Sequence, residues 1–330
     1  MTEPSPTVYS YYSPEVEQVV SRALDELNIG RQPYVERIHD TLKKNFDPGL
    51  DDLHLNLMTK YERFARSEGV IGLESFTNKY FTNGSSEGIF HLLNAARQND
   101  DTIYQLDGEY QGYGEYAKNL DLEIQTVTLD DLIANRRGGL VILSNPASKD
   151  GNIVDPNILT TILRRHNVIL DLAYMGMTLQ PLNIDLTQPG IRAVVGSLSK
   201  PFGLYYYRIG FCYTRESIGS LYGNKWFKNA LSIRIGEAVL DHFAVPQTMA
   251  TFKGKYFILQ DEAVNALNTD SDYNLDNLLA GHSERKAQPS DVWLLAHAPL
   301  RVWNPDNLRP FKRGEQNYRF CLTPYYMEQQ

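Results

Sequence analysis

The middle of the chain alternates short apolar runs, rich in β-branched residues, with segments of helical spacing, and this alternation restricts the fold more than any other sequence feature. The apolar runs span residues 101–106, 140–143, 168–170 and 193–196. Between the second and third runs, Asp155-Pro156 indicates a helix start, because it combines an N-cap residue with proline at the first helical position. Strands that alternate with helices form a mostly parallel sheet with helices on both faces. We therefore expect an α/β fold.

Both ends of the chain lack this alternation. A chain of 330 residues has room for two domains, each of roughly 100 to 200 residues. We therefore assign residues 46–250 to a large domain that holds the parallel sheet. Residues 1–45 and 251–330 are assigned to a smaller α+β domain built from the two termini.

The charge of the chain argues against a nucleic-acid partner and against an anionic membrane surface. The formal net charge is −8, whereas such partners require clustered lysine and arginine. We expect a small molecule as the partner. The seven histidines show no metal-ligand spacing, so we predict no metal.

The two cysteines point to a reducing compartment. Cys212 and Cys321 lie in apolar, strand-like runs, so we predict buried free thiols rather than a disulfide. The N-terminus lacks the basic start and apolar stretch of a signal peptide, and no apolar run approaches the roughly 18 residues of a membrane span. We therefore expect a cytoplasmic location.

Polar residues follow the apolar runs at the points where the predicted strands end. Ser144-Asn145-Pro146, Asp171 and Ser197-Leu198-Ser199-Lys200 each follow one run. Ligands of open parallel sheets bind beyond the carboxyl ends of the strands. We therefore expect these side chains to meet at one edge of one sheet.

Lys200 stands in a segment suited to an aldehyde that carries a phosphate. A lysine that forms a Schiff base has to be held rigid and partly desolvated, because at its ordinary pKa of about 10.4 nearly all of it is protonated at neutral pH. Ser197, Ser199 and Arg208 supply hydroxyl and guanidinium donors of the kind that bind phosphate. A strand followed by a surface turn is the alternative interpretation of one short motif of this kind.

The segment 197–210 resembles the lysine segment of the class I/II aminotransferases, which are pyridoxal-phosphate enzymes of fold type I. The family pattern reads S-x-S-K, then a glycine-containing turn, then R-x-G, and the spacing from Lys200 to Arg208 matches it. The resemblance implies pyridoxal 5'-phosphate as the cofactor. It also implies that Lys200 forms the Schiff base and then acts as general acid and base.

Three further motifs resemble cofactor-binding segments of the same family. Gly84-Ser85-Ser86 precedes a predicted amphipathic helix and resembles the phosphate-binding turn, where free N–H groups suit an anion. Asp171-Leu172-Ala173-Tyr174 resembles the D-x-A-Y signature, which implies that Asp171 faces the pyridine nitrogen and Tyr174 the 3-hydroxyl. Tyr110 matches the aromatic residue that stacks on the pyridine ring. Helix caps and core aromatics are the alternatives for these residues.

The loop at 144–151 resembles the family's N-P-x-N-P-T-G loop but departs from it. Ser148 stands where the family has its cofactor-contacting asparagine, whereas Asn145 matches only the first asparagine of the pattern. A serine can still hydrogen-bond the 3-hydroxyl of the cofactor. The sequence leaves open whether Asn145 or Ser148 makes this contact.

Arg319 matches the family's arginine for the substrate carboxylate, because it lies in a strand-like run near the C-terminus. A bidentate guanidinium orients an amino acid as well as binding it. A surface ion pair is the alternative role, and three nearby arginines compete for the assignment. They are Arg301, Arg309 and Arg313.

The resemblance implies an aminotransferase that acts on an L-amino acid and a 2-oxo acid, with Lys200, Asp171 and Tyr174 as catalytic residues. A lyase, decarboxylase or cyclase for a specialised amino acid is the alternative, because the same carbanion leads to either outcome. A non-catalytic pyridoxal-phosphate protein is a third hypothesis. Family members usually form homodimers in which a tyrosine reaches the partner's phosphate, and Tyr34 and Tyr61 are candidates for it.

Overall fold

A computed structural model of the protein describes residues 4–8, 11–26, 53–99, 101–135, 137–225, 228–269, 286–299, 308–315 and 317–328. The helices are α1 (Pro14–Glu26), α2 (Leu55–Ser67), α3 (Ser85–Gln98), α4 (Gln111–Asn119), α5 (Leu129–Ala134), α6 (Pro156–Leu163), α7 (Ala230–Phe243), α8 (Pro246–Thr269) and α9 (Thr323–Glu328). The strands are β1 (Val70–Ile71), β2 (Asn78–Asn83), β3 (Ile103–Leu106), β4 (Ile124–Val127), β5 (Leu140–Ser144), β6 (Asn167–Asp171), β7 (Ile184–Asp185), β8 (Ile191–Ser197), β9 (Ile209–Thr214), β10 (Gln288–Pro289), β11 (Leu295–Pro299), β12 (Lys312–Arg313) and β13 (Asn317–Cys321).

A seven-stranded sheet forms the centre of the protein, with the strand order β2-β9-β8-β6-β5-β3-β4. The strands β4, β3, β5, β6 and β8 pair in parallel, whereas β9 is antiparallel to both of its neighbours, β8 and β2. Consequently β2, β5, β6 and β8 end at one edge of the sheet, and β9 begins there. The loops that carry the predicted site residues therefore meet at this edge.

The central sheet is covered on both faces because its strands are apolar at consecutive positions. In β5, Val141 and Leu143 join one core cluster, which includes residues of α2, α7 and α8. The alternate residues Leu140 and Ile142 join the cluster on the other face, where α3 and α4 pack. Near-continuous apolar strands of this kind are typical of parallel sheets covered by helices. The expected α/β fold is confirmed.

A second, antiparallel sheet has the strand order β10-β11-β13-β12, and α9 follows β13 directly. Residues near the N-terminus join this sheet, since Ser5 and Cys321 exchange backbone hydrogen bonds of 3.0 and 2.8 Å. The expected smaller α+β part thus draws on both termini. The domain boundaries after residues 45 and 250 stay a prediction.

Two predicted helix starts are confirmed. Helix α6 begins at Pro156, and the carboxylate of Asp155 accepts a hydrogen bond of 2.8 Å from the N–H of Asn157. Helix α3 begins directly after Gly84. Both cysteines of the chain are buried free thiols, as the sequence predicts. Within the described ranges, no helix is both long enough and apolar enough to cross a membrane.

Candidate active site

A cavity of 530 Å³ lies at the sheet edge where β2, β5, β6 and β8 end. All the predicted cofactor and substrate residues except Asn145 line it, namely Gly84, Ser85, Ser86, Tyr110, Ser148, Asp171, Tyr174, Ser197, Ser199, Lys200, Arg208 and Arg319. It is also lined by Arg313 and by residues for which the sequence predicted no role, among them Pro6, Glu109 and Tyr113. The cavity therefore unites motifs that are far apart in the chain.

Gly84 and Arg208 form the end of the cavity next to helix α3. The Nη2 atom of Arg208 donates a 2.7 Å hydrogen bond to the carbonyl of Asn83. A Cβ atom on Gly84 would lie 2.3 Å from that Nη2, and the φ of +82° at Gly84 also favours glycine. The guanidinium and the N–H groups at the start of α3, with the hydroxyls of Ser85 and Ser86, provide donors for an anion.

Lys200 lies in the turn after β8, and its Nζ is 4.0 Å from the ring centroid of Tyr174. Ser197, the last residue of β8, and Ser199, directly before Lys200, are both buried. Among the residues that the structure describes, the Oγ of Ser199 has no hydrogen-bond partner. Since a buried hydroxyl without a partner costs free energy, Ser199 is a donor that a bound ligand would satisfy.

Asp171 is a buried carboxyl at the end of β6, and two donors hold it. Its Oδ2 accepts a 2.8 Å hydrogen bond from the O–H of Tyr113, and its Oδ1 accepts a 2.9 Å bond from the N–H of Ala173. Burial raises the pKa of Asp171, whereas the charge of Lys200 and the hydrogen bond from Tyr113 act to lower it. This carboxyl is thus placed to face a cationic or protonated group in the cavity.

Tyr110 stands at the cavity mouth, immediately before helix α4. Its side chain is 39% exposed, which distinguishes it from the fully buried Tyr113 three residues later. The two rings meet edge to face, with centroids 5.4 Å apart. An exposed aromatic face beside Asp171 is available to stack on a flat ligand.

Glu109 is a buried carboxyl that the sequence motifs did not identify. Its Oε1 accepts a 3.0 Å hydrogen bond from the N–H of Ser144, and its Oε2 accepts a 2.5 Å bond from the Ser144 hydroxyl. Burial is the main reason that the pKa of Glu109 is raised to about 7, and the nearby charge of Asp171 adds to the effect. A carboxyl that exchanges its proton near neutral pH therefore lines the cavity.

The sequence left open whether Asn145 or Ser148 contacts the cofactor, and the loop after β5 places these two residues at different cavities. Ser148 lines the cavity, and its N–H donates a 2.7 Å hydrogen bond to the Ser144 hydroxyl. Asn145 lines a different and smaller cavity, where its Oδ1 accepts a 3.1 Å bond from the N–H of Val154. The structure therefore places Asn145 apart from the other predicted site residues, with its amide holding the loop, and a contact between Asn145 and the cofactor stays a prediction.

Arg319 is buried in β13 and reaches the cavity. Its Nη1 donates to the carbonyl of Ser148 at 2.5 Å and to the Ser148 hydroxyl at 3.2 Å, while its Nε has no partner in the described part of the chain. Of the competing arginines, Arg313 also lines the cavity, Arg309 is exposed outside it, and Arg301 lies outside the described residues. Two arginines from the C-terminal strands β12 and β13, rather than the one predicted there, therefore line the cavity in addition to Arg208.

Neither candidate for a tyrosine that reaches a partner subunit is supported. Tyr34 lies outside the described residues. Tyr61 is only 1% exposed, and its ring stacks on Phe211 with centroids 3.7 Å apart. The prediction is wrong for Tyr61, because this side chain is part of the core of its own subunit.

The residues that line the cavity carry more positive than negative charges. The cationic residues are Lys200, Arg208, Arg313 and Arg319, and the carboxyl groups are Glu109 and Asp171. A primary amine reacts with an aldehyde, a guanidinium beside a helix start binds phosphate, and a buried carboxylate holds a protonated ring nitrogen. The arrangement suits a phosphorylated aromatic aldehyde, and the unsatisfied hydroxyl of Ser199 fits such a ligand.

The comparisons with known proteins agree with this chemistry. The family model described as aminotransferase class I and II matches residues 18–285, which is most of the chain. No curated protein matches the chain significantly in sequence.

Solved structures resemble most or nearly all of the chain. The histidinol-phosphate aminotransferase from Clostridium acetobutylicum has a TM-score of 0.65 and 12% identity, with 99% of this chain and 97% of that one covered. The L-threonine-O-3-phosphate decarboxylase from Porphyromonas gingivalis has a TM-score of 0.61 and 15% identity, with 99% and 98% covered. An aromatic amino acid aminotransferase from Burkholderia cenocepacia J2315 has a TM-score of 0.54 and 14% identity, with 83% and 78% covered. Likenesses at this level of identity establish the fold.

Proposed function

Since the chain belongs to the aminotransferase class I and II family, whose members depend on pyridoxal 5'-phosphate, we propose that it is an aminotransferase that moves an amino group between an L-amino acid and a 2-oxo acid. The observation that carries this proposal is the convergence of Lys200, Asp171, Tyr174 and Arg208 on one cavity. These residues come from two separate motifs of the sequence, the segment 197–210 and Asp171-Leu172-Ala173-Tyr174. Each motif supplies a different part of the chemistry that the reaction needs.

The residues of the cavity divide by the part of the cofactor that they would hold. Arg208 and the start of α3 would bind the phosphate, with Gly84, Ser85, Ser86, Ser197 and Ser199. Asp171 would face the ring nitrogen, Tyr110 would stack on the ring, and Tyr174 and Ser148 would contact the 3-hydroxyl. Lys200 would form the covalent link to the aldehyde.

The residues of this chain would then control the fate of the proton on the substrate. When bound, pyridoxal phosphate supplies an electron sink for the charge left at the substrate Cα. The Nζ of Lys200 accepts the proton from that Cα and carries it as general acid and base. Arg319 holds the α-carboxylate, which fixes the Cα bond that breaks. The O–H of Tyr113 donates a hydrogen bond to Oδ2 of Asp171, which favours the ionised form of that carboxyl.

The proposal is tested by visible absorbance of the purified protein mixed with pyridoxal phosphate. We expect a band that Lys200→Ala abolishes and that Lys118→Ala, at an exposed lysine of α4, leaves intact. An L-amino acid should change the band, and a 2-oxo acid should restore it. A band that responds to no L-amino acid would contradict the aminotransferase function.

A lyase or decarboxylase is the second candidate, and Ser148 is the residue that favours it. A serine replaces the asparagine expected beside the 3-hydroxyl, so the ring would be tuned differently. One structural neighbour is an L-threonine-O-3-phosphate decarboxylase. Release of carbon dioxide or ammonia without any 2-oxo acid would support this reaction over transamination.

We also propose a homodimer in the cytoplasm. Tyr205 and Tyr206 line the cavity and are 51% and 86% exposed, and a second subunit would cover such aromatic side chains. The buried free thiols of Cys212 and Cys321 are compatible with a reducing compartment. A monomeric mass by light scattering would contradict the dimer, and recovery outside the cytosolic fraction would contradict the location.

A further inference from the structure

Two arginine side chains meet at one wall of the cavity. Arg313 lies in β12 and Arg319 in the neighbouring strand β13, and both line the cavity. Their guanidinium groups share an acceptor, because the Nη2 atoms of both donate to the carbonyl of Pro6, at 3.5 Å from Arg319 and closer from Arg313. Two like charges are thus held around a single neutral oxygen.

No carboxylate of the described residues balances either positive charge by an ion pair. Arg313 Nη1 instead donates to the carbonyls of Pro310 at 3.1 Å and Lys312 at 2.7 Å. Carbonyl oxygens satisfy N–H donors but bring no counter-charge, so a partly buried charge of this kind carries a desolvation cost. Burial and the charge of Arg319 accordingly lower the pKa of Arg313 to about 10.

One arginine is enough for the α-carboxylate of an amino acid, since a single guanidinium binds a carboxylate in a bidentate manner. Arg319 is the better placed for that role, because its Nε is buried with no partner among the described residues and Arg319 is only 7% exposed. The phosphate end of the cavity has its own arginine, Arg208, beside Gly84. The charge of Arg313 is therefore left for another negative group.

We propose that the substrate carries a second anionic group on its side chain and that Arg313 binds this group. The inference rests on the proposed aminotransferase function and names its substrate class as amino acids, and the matching 2-oxo acids, with two negative groups. A carboxylate and a phosphate monoester share the required chemistry, because both accept paired hydrogen bonds from a guanidinium. On binding, such a group replaces the carbonyl of Pro6 as the acceptor for Nη2 of Arg313.

The test compares three pairs of L-amino acids that differ in the second charge: aspartate with asparagine, glutamate with glutamine, and O-phosphoserine with serine. Apparent dissociation constants come from the change in visible absorbance of the holoenzyme during titration. We expect at least one charged member to bind about 10- to 150-fold more tightly than its neutral counterpart. The pair that shows this ratio tells carboxylate from phosphate. Neutral members that bind as tightly as the charged ones in all three pairs would overturn the proposal.

Variants at Arg313 test whether this residue causes the preference for the charged amino acid of each pair. Arg313→Gln should bring the ratio close to 1, and Arg313→Lys should keep part of it, because lysine retains the charge without the paired donors. Arg309→Gln, at an exposed arginine of the same segment outside the cavity, is the matched control and should keep the full ratio. The cofactor band of each variant shows that it is folded and loaded. If Arg313→Gln takes up no cofactor, the affinity ratio measured with Arg313→Lys is used instead. If Arg313→Gln takes up cofactor and keeps the full affinity ratio, the assignment to Arg313 is overturned.

The failures of the two proposals differ in these measurements. A protein that takes up no pyridoxal phosphate, or whose band responds to no L-amino acid at all, contradicts the aminotransferase function and the inference together. A protein that responds to neutral amino acids without preference for charge contradicts only the role of Arg313.

Discussion

The carboxyl group of Glu109 is buried, and its proton affinity therefore differs between the folded and the unfolded chain. Burial raises the pKa of Glu109 from 4.5 to about 7, in spite of its hydrogen bonds with Ser144. Between these two values the folded protein keeps a proton that the unfolded chain releases. The contribution of Glu109 to the free energy of unfolding is therefore greatest below pH 4.5 and falls as the pH rises through 7, by about 3 kcal/mol.

Glu109→Gln should remove this pH dependence, because glutamine keeps an acceptor for Ser144 but does not ionise. Chemical denaturation at pH 5 and pH 8 measures the effect. We expect the variant to lose less free energy of unfolding between the two pH values than the unaltered protein does. Glu115→Gln, at an exposed glutamate of α4, is the control and should behave like the unaltered protein. Equal pH dependence in both variants would contradict the raised pKa.

Tyr113 acts on Asp171 through a single hydrogen bond. Tyr113→Phe keeps the buried ring but removes the O–H that donates to Oδ2 of Asp171, so the pKa of Asp171 should rise further. Because the proposed reaction needs Asp171 ionised, the acidic limb of the profile of kcat/KM against pH should move to higher pH. A variant that loses activity equally at every pH would instead assign Tyr113 a purely structural role.

Strand β9 approaches the phosphate end of the cavity so closely that only glycine fits at its second position. A Cβ on Gly210 would lie 2.3 Å from the carbonyl carbon of Gly84, which is backbone and cannot rotate away. Gly210→Ala should therefore lower the free energy of unfolding by about 1 to 3 kcal/mol and weaken cofactor binding. Gly254→Ala is the control, because this residue of α8 has open space around it. Helix propensity should make the control more stable by about 0.5 to 1 kcal/mol, as denaturant titration would show.

The sequence predicted those strands whose burial can be recognised from a short stretch of consecutive residues. Strands β5, β6 and β8 are covered on both faces, so they read as continuous apolar runs that end in a polar residue. The reversal of β9 was not predicted, because pairing direction depends on contacts between distant segments rather than on local composition.

The same distinction separates the predicted site residues from those that sequence reasoning missed. Lys200, Asp171 and Arg208 lie in short contiguous motifs, and the structure brings them to one cavity. Pro6 lies at the cavity beside Arg313 and Arg319, which are 307 and 313 positions away in the chain. Tyr113 had a signal, since it lies three residues after Tyr110 on one helix face and can therefore reach the same site. Asn145 matched the pattern, but the loop uses its amide internally.

For the molecule as a whole, the cavity links the two sheets, because it takes residues from the central sheet edge and from β12 and β13. A ligand that contacts both parts stabilises the folded state by mass action. Pyridoxal phosphate at a hundred times its dissociation constant should therefore add about 2.7 kcal/mol to the free energy of unfolding. Thermal unfolding should show a higher midpoint with the cofactor. For Lys200→Ala at the same cofactor concentration we expect no rise in the midpoint, because this variant lacks the covalent link.

Reduction of the pyridoxal-phosphate-loaded protein with borohydride, followed by peptide mass spectrometry, tests the central claim most directly. The reduction makes the link between the cofactor and its lysine permanent. We predict that the added mass is found on the peptide that contains Lys200 and is absent from Lys200→Ala. Modification spread over exposed lysines, or equal modification of the variant, would contradict the assignment of this cavity as the cofactor site.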